Sequence, residues 1–244
     1  MFAGAASVRR PGLGRSVRLF RLFRLEQSDP ERFYSALVDD SVQQLAGYAA
    51  LEGARIFDLG GGLGYFAEVF QRVGARYVAL DVDVAVDQAA SSPALQASGT
   101  ALPLRSESFD IAYSSNVIEH VREPARLLAE MARVTVPGGL VVVSFTVWWS
   151  PWGGHETAPW HYLGGGFARR RYVRKHGHEP KNRFGESLFA YGVGDALRWS
   201  RSVEGLRAEA VVPRYHPWWA TWVVRLPGLR ELLTWNVLLV LRRR

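Results

Sequence analysis

The sequence predicts an α/β protein with a doubly wound, mostly parallel sheet of seven strands. Three observations lead to this prediction. From residue 54 onward short apolar runs alternate with amphipathic stretches, the first run ends in a glycine-rich loop, and residues 140–147 are nearly all apolar. Alternation of this kind is typical of strand–helix–strand units, and a strand that is apolar throughout is covered by helices on both faces.

The elements follow in order along the chain. Residues 16–25 carry an arginine at every third position opposite an apolar side, which predicts an amphipathic helix, and Asp29-Pro30 starts a second helix. Apolar spacing predicts further helices at 63–73 and 124–134, the latter closed by Pro137-Gly138-Gly139. The predicted strands are 55–59, 76–82, 95–98, 109–117, 140–147, 209–212 and 235–241.

Three segments organise the chain. Residues 1–28 form a basic N-terminal segment, and residues 29–244 form a single domain. Within it, residues 148–200 are too long for a plain connection and are dense in tryptophan and histidine. Insertions of this length are usually functional. We therefore predict a cap segment, residues 148–200, that carries substrate-binding groups.

Composition excludes several classes of protein. The 244 residues are 48% hydrophobic and include no cysteine, which excludes a disulfide framework, a thiol nucleophile and a cysteine metal site. No run reaches the roughly 18 apolar residues of a membrane span, and no apolar signal core precedes Arg18, so we expect a cytoplasmic protein. Net charge is +6 over residues 1–25, −9 over 26–168 and +10 over 169–244. Basic ends indicate an anionic partner.

The strongest chemical signal is the loop after the first predicted strand. Asp58, Gly60, Gly62 and Gly64 alternate with other residues, directly between a strand and a helix. Glycines there let a ligand approach the backbone closely, which favours a nucleotide-type cofactor. A dinucleotide fingerprint would need a third glycine where Tyr65 stands, so the spacing argues against a nicotinamide dehydrogenase.

This spacing resembles the first motif of the Rossmann-like S-adenosylmethionine-dependent methyltransferases. An acid at Asp81 ends the second predicted strand, as in that class. Further stretches are similar to the subgroup that includes the ubiquinone and menaquinone methyltransferases, and the segment at 150–165 is similar to a group of actinobacterial methyltransferases. The subgroup stretches are Leu102-Pro103-Leu104, Ser108-Phe109-Asp110, Glu119-His120-Val121 and Arg133 to Gly139.

The resemblance implies S-adenosyl-L-methionine as cofactor and assigns roles to individual residues. Asp58 would orient the ammonium group, Asp81 would accept hydrogen bonds from the ribose hydroxyls, and Asn116 would face the methionine end. Many members of that class have an acidic residue near the adenine ring, but Ser98 stands at that position here. The Ser98 hydroxyl, or the backbone of Gly99 and Thr100, would contact the adenine instead. The full cofactor set is Asp58, Gly60, Gly62, Gly64, Asp81, Ser98, Gly99, Thr100 and Asn116.

Methyl transfer from a sulfonium needs alignment of the nucleophile and no metal, but a hydroxyl or acidic carbon also needs a base. Our candidates are His120, His155 and His161, with Glu119 and Glu156 in reserve. A structural role remains open for each. The spacing of His155, Glu156 and His161 is unspecific for a metal, and we predict none.

The acceptor is expected to be a small molecule, a lipid or a glycan, methylated on oxygen or carbon. A nucleic-acid methyltransferase, or a silent cofactor-binding module, is the alternative, although nucleic acid is disfavoured because the amino-methylating tetrapeptide is absent.

The two ends of the chain allow two interpretations. Arg18, Arg21 and Arg24 near the start, and the tryptophans of 218–222 near the end, have the composition of an interfacial anchor. Such an anchor would place the protein peripherally at the inner face of the membrane and would suit a lipid-linked acceptor. Alternatively, both stretches pack on the sheet or on a second subunit.

Overall fold

One sheet organises residues 11–23, 29–61, 65–82 and 94–244, which the computed structural model describes. Among these residues the sheet has seven strands in the order β3-β2-β1-β4-β5-β7-β6. All neighbours are parallel except the two pairs made by β7, so the predicted doubly wound, mostly parallel sheet is confirmed. The strands are β1 (Arg55–Leu59), β2 (Arg76–Asp81), β3 (Ala94–Gln96), β4 (Phe109–Ser115), β5 (Thr135–Thr146), β6 (Leu206–Pro213) and β7 (Asn236–Arg243).

Helices cover both faces of the sheet. Side chains of α2 and α3, such as Val42 and Phe70, pack on one face, and side chains of α4 and α6, such as Leu127 and Ala196, pack on the other. The helices are α1 (Leu13–Phe23), α2 (Pro30–Leu45), α3 (Tyr65–Arg72), α4 (Pro124–Val134), α5 (Gly165–His176), α6 (Val193–Ser202) and α7 (Leu229–Leu233). Short 3-10 helices lie at Ile118–His120, His155–Thr157, Trp160–Leu163 and Trp218–Arg225.

The boundary between α4 and β5 differs from the prediction. The strand begins at Thr135 and includes Pro137-Gly138-Gly139, which we expected to separate the helix from a strand starting at Leu140. Thr135 pairs with Phe109 across an irregularity in the β4–β5 register. Pairing with the neighbouring strand therefore overrides the local turn signal.

Helix α1 packs on the rest of the domain. The Arg15 guanidinium makes a salt bridge of 2.6 Å with the buried Asp40 of α2, and Leu19 is buried in a cluster with Phe33. Arg18 and Arg21 are exposed on the other side. Part of the predicted amphipathic helix thus has its apolar side against the protein itself, and Arg24 lies outside the described residues.

The cap segment returns to the end of β4. Residues 147–192 connect β5 to α6, and the backbone N–H of Phe189 donates to the carbonyl of Glu119 over 2.9 Å. The last part of the segment belongs to α6, which packs on α4 in the helix layer. No helix in the described residues is both long enough and apolar enough to cross a bilayer.

Candidate active site

The candidate site lies at the carboxyl ends of the parallel strands. The chain runs from β1 outward through β2 to β3, then returns to place β4 and β5 on the other side of β1. The order therefore reverses between β1 and β4, and open α/β sheets bind ligands at such a switch point. The glycine loop follows β1 at this position.

The first two glycines of the loop are held in a tight turn. Gly60 has φ +82°, and a Cβ there would lie 2.1 Å from Val117 Cγ2. A Cβ on Gly61 would lie 2.7 Å from the Tyr77 hydroxyl. Glycine at these positions keeps the loop close to β4 and β2, and the resulting backbone cradle fits the predicted cofactor. Gly62 and Gly64 lie outside the described residues.

Two carboxylates meet at this edge of the sheet. Asp58 is buried and accepts a hydrogen bond of 2.6 Å from the Tyr77 hydroxyl, while Asp81 ends β2. Burial raises the pKa of Asp58 to about 7; the Tyr77 hydrogen bond opposes this rise, and the negative charge of Asp81 adds to it. A bound ammonium group would relieve the cost of ionising Asp58, so this pair fits a cationic ligand.

The predicted adenine loop lies beside β1. A Cβ on Gly99 would lie 2.8 Å from Leu59 Cδ1, which shows how closely this loop approaches the strand. The hydroxyls of Ser98 and Thr100 are 3.0 Å apart and form a hydrogen bond. These three residues therefore come together next to β1, at the same edge as Asp81.

Asn116 directly follows β4 and has a backbone conformation that is uncommon for a residue with a side chain. Its φ is +57°, its backbone N–H donates to Ser144 over 2.8 Å, and its Oδ1 accepts from Asn236 Nδ2 over 2.8 Å. Left-handed non-glycine residues are enriched at functional sites. Asn236 was missed by sequence reasoning, because only the antiparallel return of β7 brings it to this end of the sheet.

The structure brings together two of the three candidate histidines. The ring centroids of His120 and His155 are 5.2 Å apart, beside the buried carboxyl of Glu119. Burial raises the pKa of Glu119, and burial together with the charge of His120 lowers the pKa of His155 to about 4. The His155 imidazole is therefore neutral near pH 7.

The other two candidates do not belong to this cluster, although their charges act on His155. His161 is buried with its ring edge-on to Trp148, and its Nε2 lies 3.1 Å from the Ser150 carbonyl. Burial lowers the pKa of His161. Glu156 accepts a hydrogen bond of 2.9 Å from Asn182. His161 is thus a packed side chain within the cap segment.

A narrow aromatic cleft adjoins Asn116. As it stands, the cleft leaves only about 10 Å³ for the centre of a water-sized molecule, so a larger ligand can enter only if helix α1, which forms one wall, moves outward. Asn236 contributes to the lining and connects the cleft to Asn116 through their hydrogen bond. The lining residues are Ser16, Leu19, Phe20, Phe23, Thr146, Trp152, Tyr215, Trp235 and Asn236. Sequence reasoning missed most of them, because they come from four distant parts of the chain.

This fold and this site define a Rossmann-like S-adenosylmethionine-dependent methyltransferase, and S-adenosylmethionine is its methyl donor. Residues 57–143 match the family model described as "Methyltransferase domain". The chain belongs to a family of methyltransferases with members in mycobacteria. A protein from Mycobacteroides abscessus described as an uncharacterized methyltransferase is 49% identical over 100% of this chain and 98% of its own length. A counterpart from Mycobacterium sp. strain KMS is 50% identical over 99% of this chain and its whole length.

Solved structures share the fold. An S-adenosylmethionine-dependent methyltransferase from Mesorhizobium loti has a TM-score of 0.56 at 24% identity, covering 80% of this chain and 93% of that one. A methyltransferase from Aquifex aeolicus has a TM-score of 0.54 at 15% identity, covering 93% of this chain and 98% of that one. At these identities the likeness establishes the architecture alone.

Cofactor affinity is expected to rise with pH through Asp58. Below about pH 7 the free protein carries this carboxyl protonated, and a neutral acid holds an ammonium group poorly. Lowering the pH from 8 to 6 should therefore weaken S-adenosylhomocysteine binding about tenfold, if the bound carboxyl stays ionised. Isothermal titration checks this, with Asp58→Asn as the variant that removes the dependence. Equal affinity of the natural protein at both pH values would contradict it.

Proposed function

We propose that this methyltransferase acts on an apolar, lipid-like acceptor that enters the aromatic cleft beside Asn116 when helix α1 moves outward. The observation that carries the proposal is the lining of the cleft. Five aromatic rings surround it, whereas Thr146 and Asn236 supply polar atoms on the side of the sheet. A pocket that is mostly apolar with a few placed polar groups is suited to binding an apolar small molecule in one orientation. The lining rings are Phe20, Phe23, Trp152, Tyr215 and Trp235.

The similarity of Glu119-His120-Val121 and Pro137-Gly138-Gly139 to the ubiquinone and menaquinone methyltransferases is consistent with an apolar acceptor. It supports the class of acceptor in this proposal rather than a particular molecule.

Bound S-adenosylmethionine supplies an electrophilic methyl group. The chain's own residues would orient the reactants: Asp58 and Asp81 hold the cofactor, and the Asn116–Asn236 pair lies between the end of β4 and the cleft. We assign activation of the acceptor oxygen or carbon to His120 and His155. Their cluster is connected to the cleft because Thr146, a lining residue, donates its backbone N–H to Glu119 over 3.0 Å.

A labelled-cofactor experiment tests the proposed function. Incubation of the protein with methyl-labelled S-adenosylmethionine and a mycobacterial extract should place the label in the organic-soluble fraction. Asp81→Ala is the matched inactive control. Label that enters only the aqueous fraction, or only nucleic acid, would overturn the lipid-like acceptor.

His155→Ala is expected to lower turnover at least about a hundredfold while leaving cofactor affinity within about twofold, since groups that activate a nucleophile contribute this much. Turnover measured on the labelled acceptor and titration with S-adenosylhomocysteine separate the two effects. The matched control is His178→Ala in the exposed turn after α5, which should keep full activity. If His155→Ala keeps full activity, activation occurs elsewhere, and His120 is the next residue to test.

We propose in addition that the protein attaches peripherally to the cytoplasmic face of an anionic membrane. Trp219 and Trp222 are 54% and 49% exposed, and the neighbouring Trp218 bonds through its backbone N–H to Pro11, which precedes α1. The exposed Arg18 supplies basic charge on α1, the helix that follows Pro11. A lipid acceptor could then reach the cleft from the bilayer surface.

Co-sedimentation with vesicles is expected to show binding to phosphatidylglycerol and weaker binding to phosphatidylcholine. The double variant Arg18→Glu/Arg21→Glu should reduce the binding more than tenfold, because each basic group near an anionic surface contributes about 1 kcal/mol. Trp219→Ser/Trp222→Ser should weaken it as well. Trp160→Ser, a comparably exposed tryptophan in the cap segment, is the control. Failure of the natural protein to bind either kind of vesicle would overturn the proposed membrane attachment.

A further inference from the structure

Glu119, His120 and His155 converge on one small space. One potential ligand atom from each lies within 4.8 Å of the other two. Ligands of a four-coordinate ion with bonds near 2.0–2.1 Å stand about 3.3 Å apart, so the cluster would contract by an ångström or so on binding. His155 lies at the start of a short 3-10 helix in the cap segment, whereas Glu119 and His120 follow β4.

Two atoms of the cluster are buried without a hydrogen-bond partner. Glu119 Oε2 and His155 Nε2 are both shielded from solvent, and no described residue donates to or accepts from them. Glu119 itself is only 1% exposed. Buried polar atoms are nearly always satisfied, and an exception calls for an explanation such as a bound ion.

The outer contacts orient the same groups toward that space. His120 Nδ1 lies 2.7 Å from the Ser187 carbonyl. A carbonyl can only accept, so Nδ1 carries the hydrogen and Nε2 keeps its lone pair. Glu119 Oε1 accepts the N–H of Thr146 over 3.0 Å, which leaves Oε2 for the cluster. Metal-binding histidines and carboxylates are held by second contacts of this kind.

We infer that Glu119, His120 and His155 form a binding site for a divalent transition-metal ion of the Zn²⁺ type. Two imidazoles and one carboxylate match the three-ligand sets of zinc sites that keep a fourth position open. Mg²⁺ and Ca²⁺ prefer oxygen ligands, so two nitrogens out of three disfavour them. The sequence did not indicate this set. The residues near His155 in the chain that could bind a metal are Glu156 and His161, whereas Glu119 and His120 join His155 only in the folded protein.

The open coordination position of the site would be available to the acceptor, because the ligand residues contact residues that line the cleft. The carbonyl of Trp152, which lines the cleft, accepts the backbone N–H of His155, and Thr146 contacts Glu119. An ion held here would occupy the imidazole lone pairs of His120 and His155, so in that state the cluster would activate the acceptor by coordinating its oxygen and not by accepting its proton directly. This role rests on the proposed function, whereas the binding of the ion does not.

Metal titration of the full chain tests the site. Protein stripped with a chelator should bind one Zn²⁺ per chain by calorimetry, and Co²⁺ in its place should give the visible absorption of a low-coordinate Co²⁺–imidazole site. Glu119→Gln and His155→Gln should each weaken Zn²⁺ binding at least a hundredfold. The matched control is the double variant His176→Gln/His178→Gln. These two histidines are exposed, their ring centroids are 6.1 Å apart, and their loss should leave the affinity for Zn²⁺ unchanged.

Several outcomes would overturn the inference. These are the absence of stoichiometric Zn²⁺ binding by the natural protein, retention of it in His155→Gln, and loss of it in the His176/His178 control. Because Glu119 is buried, circular dichroism first checks that Glu119→Gln folds; should it not fold, His155→Gln and the Co²⁺ spectrum decide. Zn²⁺ binding without labelling of any organic-soluble acceptor would contradict the proposed function alone. Labelling by a protein that binds no Zn²⁺ would contradict this site alone.

Discussion

Arg214→Ala is expected to lower the free energy of unfolding by about 3–5 kcal/mol, because it empties a buried site and removes the central donor of a buried hydrogen-bond network. Arg214 is only 1% exposed, and its guanidinium donates to four hydroxyl groups at the end of the sheet. Alanine would remove the shared donor from all four hydroxyls and would create a cavity, although Ser41 and Ser144 keep the bonds that they donate to the Leu37 carbonyl and to Ser115. The four acceptors are the hydroxyls of Ser41, Tyr113, Ser115 and Ser144.

Urea denaturation measures this effect. Arg105→Ala is the matched control, because Arg105 is an exposed loop arginine and its loss should change the free energy of unfolding by less than about 0.5 kcal/mol. Arg214→Lys should fall between the two, since an ammonium group keeps the charge but cannot reproduce the planar fork of donors. A loss below about 1 kcal/mol in Arg214→Ala would show that the surrounding hydroxyls find other partners.

The order of the elements was predictable because strands and helices alternate along the chain, and each has its own local pattern of apolar residues. Each apolar run such as 140–147 is buried on both faces, so burial and pattern agree. Boundaries were less predictable where pairing between strands decides them. Thr135 joins β5 because Phe109 lies opposite, and that contact spans 26 residues of sequence.

The residues predicted to bind the cofactor and the residues that line the cleft also differ in how predictable they were from the sequence. Asp58 and Gly60 lie in one short motif, so the sequence alone was enough to predict that both contact the cofactor. The cleft combines Phe20, Trp152 and Trp235, which meet only after α1 packs on the carboxyl edge of the sheet. Its lining has no period and no motif, and the pairing of His155 with His120 likewise depends on how the cap segment folds back.

Gly60→Ala is expected to weaken S-adenosylhomocysteine binding at least about a hundredfold, or about 2.7 kcal/mol. Gly60 has φ +82°, which costs an alanine roughly 1–2 kcal/mol, and the added Cβ would lie 2.1 Å from Val117 Cγ2. Relief of this clash must move the loop away from the end of β4. The backbone groups that line the cofactor edge and the neighbouring Asn116 would then lose their positions together.

The clash can be separated from the backbone strain by a second variant. Gly138 has φ +79° with nothing within 4 Å of its added Cβ, so Gly138→Ala carries the strain without the clash. Its affinity for S-adenosylhomocysteine, measured by calorimetry, should stay within about threefold of the natural protein, or about 0.7 kcal/mol. Adding Val117→Ala to Gly60→Ala removes the clashing Cγ2 and should restore part of the lost affinity. If Gly60→Ala binds as well as Gly138→Ala does, close packing of the loop on Val117 does not determine cofactor binding.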